Sequence, residues 1–391
     1  MDKNILVLSN GYGEDEIAAQ VISEIKKADQ GITVYALPLV GKGHAYNNVD
    51  VKKLGPTKLM PSGGLVPSNH AKMLFNDVKA GLIGLTFGQI NSILKIRSKT
   101  DLSLSVGDSY PVILNSFFTK RKQIFVGTAK SNYFCPYSDK EKKLFKKYCD
   151  TVFPRDEVTA SDLRDYGINA VFAGNVMMDC INPVDCNMGT QYPQVVVGIL
   201  PGSREDVYKD FSMILQAVEV LGKKVNWDVK YFTALASSVD MGDMVAPSIS
   251  LGWELTPTNY TKGIVGELKK GNSTVYLTRG IFGDIITRAH IIMGQAGTAN
   301  EQAVGLGKPV VAFSEKTPDG NLGWYRLRQK GLLGDALSVV DKDPVKIAGE
   351  VISILENPAK YEYMAKIGRE RMGPPGGAKK IAQKVIQEIN V

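Results

Sequence analysis

The stretch that most constrains this chain is Ile291–Phe313. Its apolar run Ile291-Ile292-Met293 ends in Gly294-Gln295-Ala296-Gly297; a helical pattern follows, then the stop Gly307-Lys308-Pro309 and a second apolar run, Val310–Phe313. That order is strand, glycine-rich loop, helix, strand: one βαβ unit, which commits the chain to an α/β fold with parallel strands. Glycine lacks Cβ, so a ligand can approach the backbone of this loop closely. The helix start at Gly297, Thr298 and Ala299 offers unpaired N–H groups and the positive end of a dipole, which suits a diphosphate. Glu301 and Gln302 lie in the first turns of that helix, where either side chain can hydrogen-bond a ribose diol. On shape alone, such a unit serves packing as well as it serves binding.

The same alternation runs through the rest of the chain. Its 391 residues suffice for about two domains. A strand at Ile5–Ser9 leads through the turn Asn10-Gly11-Tyr12-Gly13 into a helix from Glu14 to about Lys27, with acids where the dipole favours them. Further strands are expected at Ile32–Leu37, Leu102–Val106, Gln123–Gly127, Thr151–Pro154 and Val171–Asn175. The stretch Asn182–Gln194, with Pro183, Gly189 and Pro193, reads as a linker. A second cycle follows: strands at Val195–Leu200, Val229–Ala234, Thr274–Leu277, His290–Gly294, Pro309–Phe313 and Leu337–Val340, with a helix from about Glu205. No repeat of solenoid length is visible. We expect two parallel-sheet domains, 1–186 and 187–391, with the last helix, Gly377–Ile389, free to pack back on the first.

Composition narrows the partners. Apolar residues make up 44% of the chain, enough for ordinary cores, and the net charge of +7 favours acidic ligands or an anionic surface. No stacking or groove-reading motif supports a nucleic-acid partner. Cys135, Cys149, Cys180 and Cys186 show no Cys-x-x-Cys spacing, so a reducing cytoplasmic setting without a zinc site is expected. From the sequence, no signal peptide is expected ahead of the first strand, and no apolar run is long enough to cross a bilayer. Between Leu74 and Leu94, however, Leu74, Val78, Leu82 and Leu85 recur at helical spacing beside Gly81, Gly84 and Gly88. These residues form either a core-facing helix pair or a helix that meets lipid. Basic residues from Lys120 to Lys147 read as a solvated face that an anionic membrane surface would attract. A homo-oligomer is left open.

Single positions then carry candidate chemistry. Ser203-Arg204 follows a Pro-Gly turn at a strand end. A guanidinium there can hold a diphosphate with two parallel bonds, and a cation at a helix start is otherwise disfavoured. Asp15 and Asp108 both follow first-domain strands, where such folds bind ligands, so either can be a catalytic base; each also makes sense as a helix-start or turn residue. His44, on the loop Gly41–His44, is a third acid–base candidate. Gly11-x-Gly13 is not completed by a third glycine, because Glu16 stands there; nicotinamide binding is therefore set aside. Asp341-Lys342-Asp343 has the spacing of a metal-binding pair, but Asp343-Pro344 reads better as N-cap and first residue of a helix, and no metal is expected.

Several of these stretches together resemble a family. Leu200-Pro201-Gly202-Ser203-Arg204, Gly297-Thr298-Ala299 and Pro309-Val310-Val311 are similar to motifs of lipid-A-disaccharide synthase, glycosyltransferase family 19. Phe153-Pro154 and Phe172-Ala173-Gly174-Asn175 fall where that family has Phe-Pro and Val-Gly-His-Pro, and Gly13-Glu14-Asp15 where it has Ser-Gly-Asp. Asn10–Asp15 and Met60–Gly64 resemble more closely the Asn-Gly-x-Gly-Glu-Asp and Met-Pro-Ser-Gly-Gly signatures of proteins described as lipid-A-disaccharide-synthase-related. The resemblance implies the GT-B fold, with two Rossmann-like domains facing a central cleft and the donor nucleotide on the second. It implies inverting, metal-independent transfer from a UDP-sugar to a lipid-linked acceptor of the cell envelope, with no cofactor; the apolar Leu74–Leu94 stretch beside the basic residues Lys120–Lys147 adds the expectation of peripheral attachment to the inner face of the cytoplasmic membrane. GT-B analogy places Gly13 near the nucleotide sugar and the uracil against the backbone near Ile281 and Phe282. Three positions depart from the pattern. Counting back from Pro309, the family's ribose-binding Glu falls on Gln302, with Glu301 one position early. Its His is Asn175, and its acidic Asp-Ala-Pro-Asp segment is Gly107-Asp108-Ser109-Tyr110-Pro111. Two rival functions therefore stand beside the transferase: a nucleotide-sugar 2-epimerase and a sugar-nucleotide-binding protein without catalysis.

Overall fold

The computed structural model describes residues 3–61, 71–203, 206–257, 263–315, 317 and 321–390. Arg204 and the signature positions Ser62, Gly63 and Gly64 lie outside them. The first group of strands is β1 (Asn4–Ser9), β2 (Thr33–Pro38), β3 (Lys52–Lys53), β4 (Leu102–Gly107), β5 (Lys122–Gly127) and β6 (Thr151–Pro154). The second is β7 (Val195–Leu200), β8 (Val229–Ala234), β9 (Glu254–Pro257), β10 (Ile264–Lys270), β11 (Ser273–Thr278), β12 (Ile291–Gly294), β13 (Val310–Ser314) and β14 (Leu337–Asp341). The continuous apolar runs become strands buried on both faces, as a parallel sheet covered by helices requires. Ile5, Leu6, Val7 and Leu8 of β1 have no exposed surface.

The first sheet runs β3-β2-β1-β4-β5-β6 and is parallel throughout. The second runs β14-β13-β12-β7-β8-β11-β10-β9 and is parallel as far as β11. Its last two strands, which were not among those expected from the sequence, are antiparallel and extend the parallel sheet at one edge. Lys270 and Ser273 pair across the two residues Gly271-Asn272, a hairpin-turn signal, and burial alternates along Ile264–Lys270. One correction concerns Val171–Asn175, which forms no strand. Ala170 makes a single bridge to Val152, and Asn175 caps the short helix Val176–Asp179 by accepting a bond from Met177 N at 3.1 Å. Another moves the first helix start from Glu14 to Tyr12, with Gly11 as N-cap, so Gly13 sits inside the first turn.

Two compact units result: residues 1–180 with 374–391, and residues 181–373. The final helix, Gly377–Ile389, packs on the helix Tyr12–Ala28 and buries Ala378, Ile381, Ala382 and Val385 in the first core. Asp179 ties its start by accepting bonds from Gly376 N and Ala378 N at 2.5 and 2.7 Å. The chain passes between units at 180/181 and 373/374 instead of at 186/187. The reason is the buried Asp284, whose carboxylate accepts Val184 N at 2.9 Å and Cys186 N at 2.8 Å, holding that stretch to the second unit.

The glycine-rich apolar stretch forms two helices of the first unit, Ala71–Lys79 and Leu82–Ile96. Leu85, Gln89 and Ile93 turn inward, and Gln89 Nε2 donates to Leu39 O at 3.1 Å. Leu74, Phe75, Val78, Ile83, Phe87 and Leu94 stay exposed, Phe87 at 68%. The helices thus have both faces the sequence left open: one in the core and one apolar and outward. Ile93→Ala should cost about 2–5 kcal/mol as a core truncation, while Phe87→Ser should stay within about 0.5 kcal/mol. Urea unfolding of the two variants checks this; equal losses would mean that Phe87 is packed.

Candidate functional site

In an open parallel sheet, ligands bind beyond the carboxyl ends of the strands where the order reverses. Here the reversals lie between β1 and β4 in the first unit and between β7 and β12 in the second.

In the second unit, Gln295 N and Ala296 N both donate to Leu200 O, at 2.8 and 3.2 Å, stitching the loop after β12 to the end of β7. Gly202, at φ +92°, lies against Ala296. The turn Pro201-Gly202-Ser203 and the loop Gly294–Gly297, read separately in the sequence, are therefore one place. The loop carbonyls are held from the protein side. Asn300 Nδ2 donates to Gly294 O at 3.0 Å, and Gln329 Nε2 donates to Ala296 O and Gly297 O at 3.0 and 3.2 Å. Arg326 donates to the side chains of both Gln295 and Gln329. Thr298 and Ala299 then open the helix Thr298–Gly305; Asn300 N and Glu301 N donate to Gly297 O at 3.1 and 3.3 Å, while the N–H groups of Thr298 and Ala299 have no acceptor within the helix. Thr298 and Ser203 are exposed and Ala299 half-buried. Gln302 is 7% exposed, whereas Glu301 is only half-buried, so Glu301 is the one of the two that a ligand can reach. Ile281 occupies the N-cap position of the helix Phe282–Arg288; its side chain is buried, which leaves its backbone for contact, and Phe282 is half-buried. Asn300, Arg326 and Gln329 were not singled out in the sequence, because nothing in a polar helical run marks which side chains turn inward.

In the first unit, the ends of β1, β4 and β5 carry a polar cluster. Gly107 holds φ +130°, and Asn10 fills the space a Cβ there would need. Asp108 N donates to Asn10 Oδ1 at 3.4 Å, and Asp108 Oδ1 accepts Tyr110 N at 2.7 Å, capping the helix Ser109–Leu114. Burial raises the Asp108 pKa against the pull of those hydrogen bonds. Thr128 Oγ1 donates to Glu14 Oε1 at 3.0 Å. Glu141 accepts Ser109 Oγ at 2.8 Å and Lys130 Nζ at 2.7 Å; against burial, its hydrogen bonds from Lys130 and Ser138 hold its pKa low. Beside Thr128 an open pocket is lined by Phe153, Arg155 and Asn175, among others.

Asp15 is not at this surface. It is 2% exposed and turned beneath β1, where it accepts Ser9 Oγ at 2.5 Å, and Ser9 Oγ is 2.5 Å from the buried Tyr46 hydroxyl. Neighbouring helix positions point about 100° apart, so Glu14 takes the strand-end position that Asp15 was expected to hold. His44 begins the short 3-10 helix His44–Asn48 and is exposed. Asp343 caps the helix Pro344–Leu355 by accepting Val345 N and Lys346 N at 2.7 and 3.0 Å. Among the described residues no three His, Cys, Asp or Glu side chains group so as to hold a metal.

No protein-family model matches the chain, and no curated protein matches it in sequence. Solved structures do. The UDP-GlcNAc 2-epimerase from Neisseria meningitidis bound to UDP-GlcNAc matches over 98% of this chain and 100% of that one, with TM-score 0.59 and 17% identity. CalG4, the calicheamicin glycosyltransferase, matches over 100% and 98%, with TM-score 0.60 and 13% identity. MurG from Acinetobacter baumannii matches over 98% and 99%, with TM-score 0.57 and 13% identity. The chain has the GT-B fold. GT-B proteins of this kind include glycosyltransferases and UDP-GlcNAc 2-epimerases alike, so the fold by itself fits both.

Burial raises the Asp15 pKa to about 7 from 3.8, outweighing the bond from Ser9. The folded carboxyl thus keeps its proton up to about pH 7 while the unfolded chain releases it near pH 3.8. Folding takes up a proton between those values, so wild-type stability falls as pH rises through that window. Asp15→Asn stays neutral throughout. Its melting temperature relative to wild type should climb between about pH 4 and pH 7 and level off above; a difference flat with pH would remove Asp15 from the titrating groups.

Proposed function

We propose that the protein is an inverting glycosyltransferase that moves a sugar from a UDP-sugar to a lipid or lipid-linked acceptor, without a metal ion. One observation carries this reading. The Gly294–Gly297 loop and the start of the helix Thr298–Gly305 stand at the β7/β12 reversal with the loop carbonyls tied back from the protein side. That arrangement turns backbone donors toward an anion, as a departing diphosphate needs. Ser203 and the adjoining Arg204 complete the phosphate side, Glu301 binds the ribose, and the backbone at Ile281 and Phe282 holds the uracil. The similarity to structures solved with UDP and UDP-GlcNAc supports a uridine nucleotide as the ligand. The first unit takes the acceptor. Asp108, and Glu14 in place of the sunken Asp15, are carboxylates beside the strand ends that can accept a hydroxyl proton, and the exposed His44 is the third acid–base candidate. The lipid-A-disaccharide-synthase-related proteins remain the family this reading resembles.

The 2-epimerase reading has its own support in the similarity to UDP-GlcNAc 2-epimerases. It predicts that donor is isomerised with no acceptor present. The transferase reading predicts intact donor until an acceptor is added.

UDP should raise the melting temperature, since it binds the folded state; at 100 times its Kd the gain is about 2.7 kcal/mol. Glu301→Ala should lose about 1–3 kcal/mol of UDP affinity through the missing ribose partner, and Gln302→Ala much less. Arg204→Ala should remove most of the UDP-induced shift. Thermal melting with and without UDP checks the wild-type and Arg204→Ala outcomes and titration calorimetry the Glu301→Ala and Gln302→Ala affinities; a Gln302→Ala loss larger than that of Glu301→Ala would move the ribose contact to Gln302.

A lipid acceptor is supported by the outward face of Leu74, Phe75, Val78, Ile83, Phe87 and Leu94, with exposed Lys79, Lys95, Arg97 and Lys99 in the same stretch. An apolar face beside cations is how a protein lies on a membrane without crossing it, and each cation adds about 1 kcal/mol near an anionic surface. No helix among the described residues is long and apolar enough to cross a membrane. The protein should float with anionic liposomes at low salt and less at high salt, and Phe87→Asp should abolish flotation while leaving the melting temperature unchanged. Equal flotation with neutral liposomes would sink the electrostatic part.

A further inference from the structure

Behind the Gly294–Gly297 loop lies a polar network that the proposed donor site does not itself explain. The helix Trp324–Leu333 is amphipathic in an unusual sense: Arg326 and Gln329, three residues apart and on one face, are 7% and 3% exposed. Burying a guanidinium and a carboxamide is costly unless both are fully engaged. Their partners include the loop itself. One terminal nitrogen of Arg326 donates to Gln329 Oε1 and the other to Gln295 Oε1. Each carboxamide is thereby oriented with its NH2 facing away from the guanidinium. Gln329 Nε2 reaches Ala296 O and Gly297 O, and Gln295 Nε2 reaches Phe313 O at 3.1 Å.

We infer that Arg326 is a positioning residue for diphosphate binding: its two-pronged grip orients Gln295 and Gln329, and Gln329 in turn fixes the Ala296 and Gly297 peptides. This rests on the donor reading above. A peptide whose carbonyl is held inward presents the following N–H outward, so the network sets which way the backbone donors at Gly297 and Thr298 point. A buried guanidinium directly behind also makes the loop more positive, which favours an anion. Lysine has one nitrogen in place of the planar fork and cannot hold both glutamines in the same geometry. Arg326 needs no contact with the ligand for any of this.

The prediction is selective loss. Wild type, Arg326→Met, Arg326→Lys and Gln329→Ala would be titrated with UDP by calorimetry and with uridine by ligand-observed NMR. The uridine moiety does not use the loop donors. We expect UDP affinity to fall about 10- to 100-fold in Arg326→Met, the range of a lost charged hydrogen bond, with uridine affinity unchanged and no recovery in Arg326→Lys. Gln329→Ala should fall similarly, and the Arg326→Met, Gln329→Ala pair should fall by less than the product of the two, because both act through one network. Parallel loss of UDP and uridine, unchanged UDP affinity, or recovery in Arg326→Lys would overturn the inference. Wild type that binds neither ligand would instead overturn the donor reading on which it rests.

Discussion

A parallel sheet covered by helices on both faces leaves its strand ends as the places where backbone can meet a ligand. Everything chemically distinctive about this protein follows from that constraint. The residues that cap β1, β4 and β5 make one polar surface, and those that cap β7 and β12 make another. In the second unit the join is a single acceptor, Leu200 O, shared by Gln295 N and Ala296 N. With that carbonyl occupied, the loop after β12 has its path set; Asn300 holds Gly294 O, Gln329 holds Ala296 O and Gly297 O, and Arg326 in turn holds the Gln329 side chain.

The first unit shows how sharply a helix separates neighbours. Glu14 and Asp15 adjoin in sequence and both satisfy the helix dipole. One reaches Thr128 at the end of β5, and the other is shut beneath β1 with Ser9 and Tyr46. Their environments push their chemistry apart. Burial lets the Asp15 carboxyl, beside the Ser9 and Tyr46 hydroxyls, hold its proton to about pH 7. Asp108 is drawn toward the neutral form by burial and toward the charged form by its helix-capping bond, and burial prevails.

The GT-B fold accommodates transfer to an acceptor and isomerisation of the donor, because both begin with a nucleotide sugar at the same kind of strand-end site. What differs is the chemistry outside that site. A transferase needs one base and a surface that admits the acceptor. The outward apolar face of Leu74–Leu94 is what the proposed transferase reading assigns to the acceptor.

Much of the architecture was legible from local pattern. Apolar runs set β1, β7 and β12 to within a residue or two, since strands buried on both faces are mostly apolar, and β4, β6 and β8 were as legible although they bury Ser103, Ser105, Thr151 and Thr233. Gly294–Gly297, Asp343-Pro344 and the final helix were equally plain, because each depends on residues adjacent in the chain. The antiparallel strands β9 and β10 were signalled only by alternation and Gly271-Asn272, weaker marks than an apolar run. Other features depended on contacts between distant residues. The place of 181–186 depends on Asp284, the choice between Glu14 and Asp15 on Thr128 and Ser9, and the inward turn of Arg326 on a loop some thirty residues earlier. A sequence declares which backbone each segment prefers, because propensity and periodicity are local. Which polar side chain is buried, and against what, is decided only when strands far apart in the chain close into one sheet.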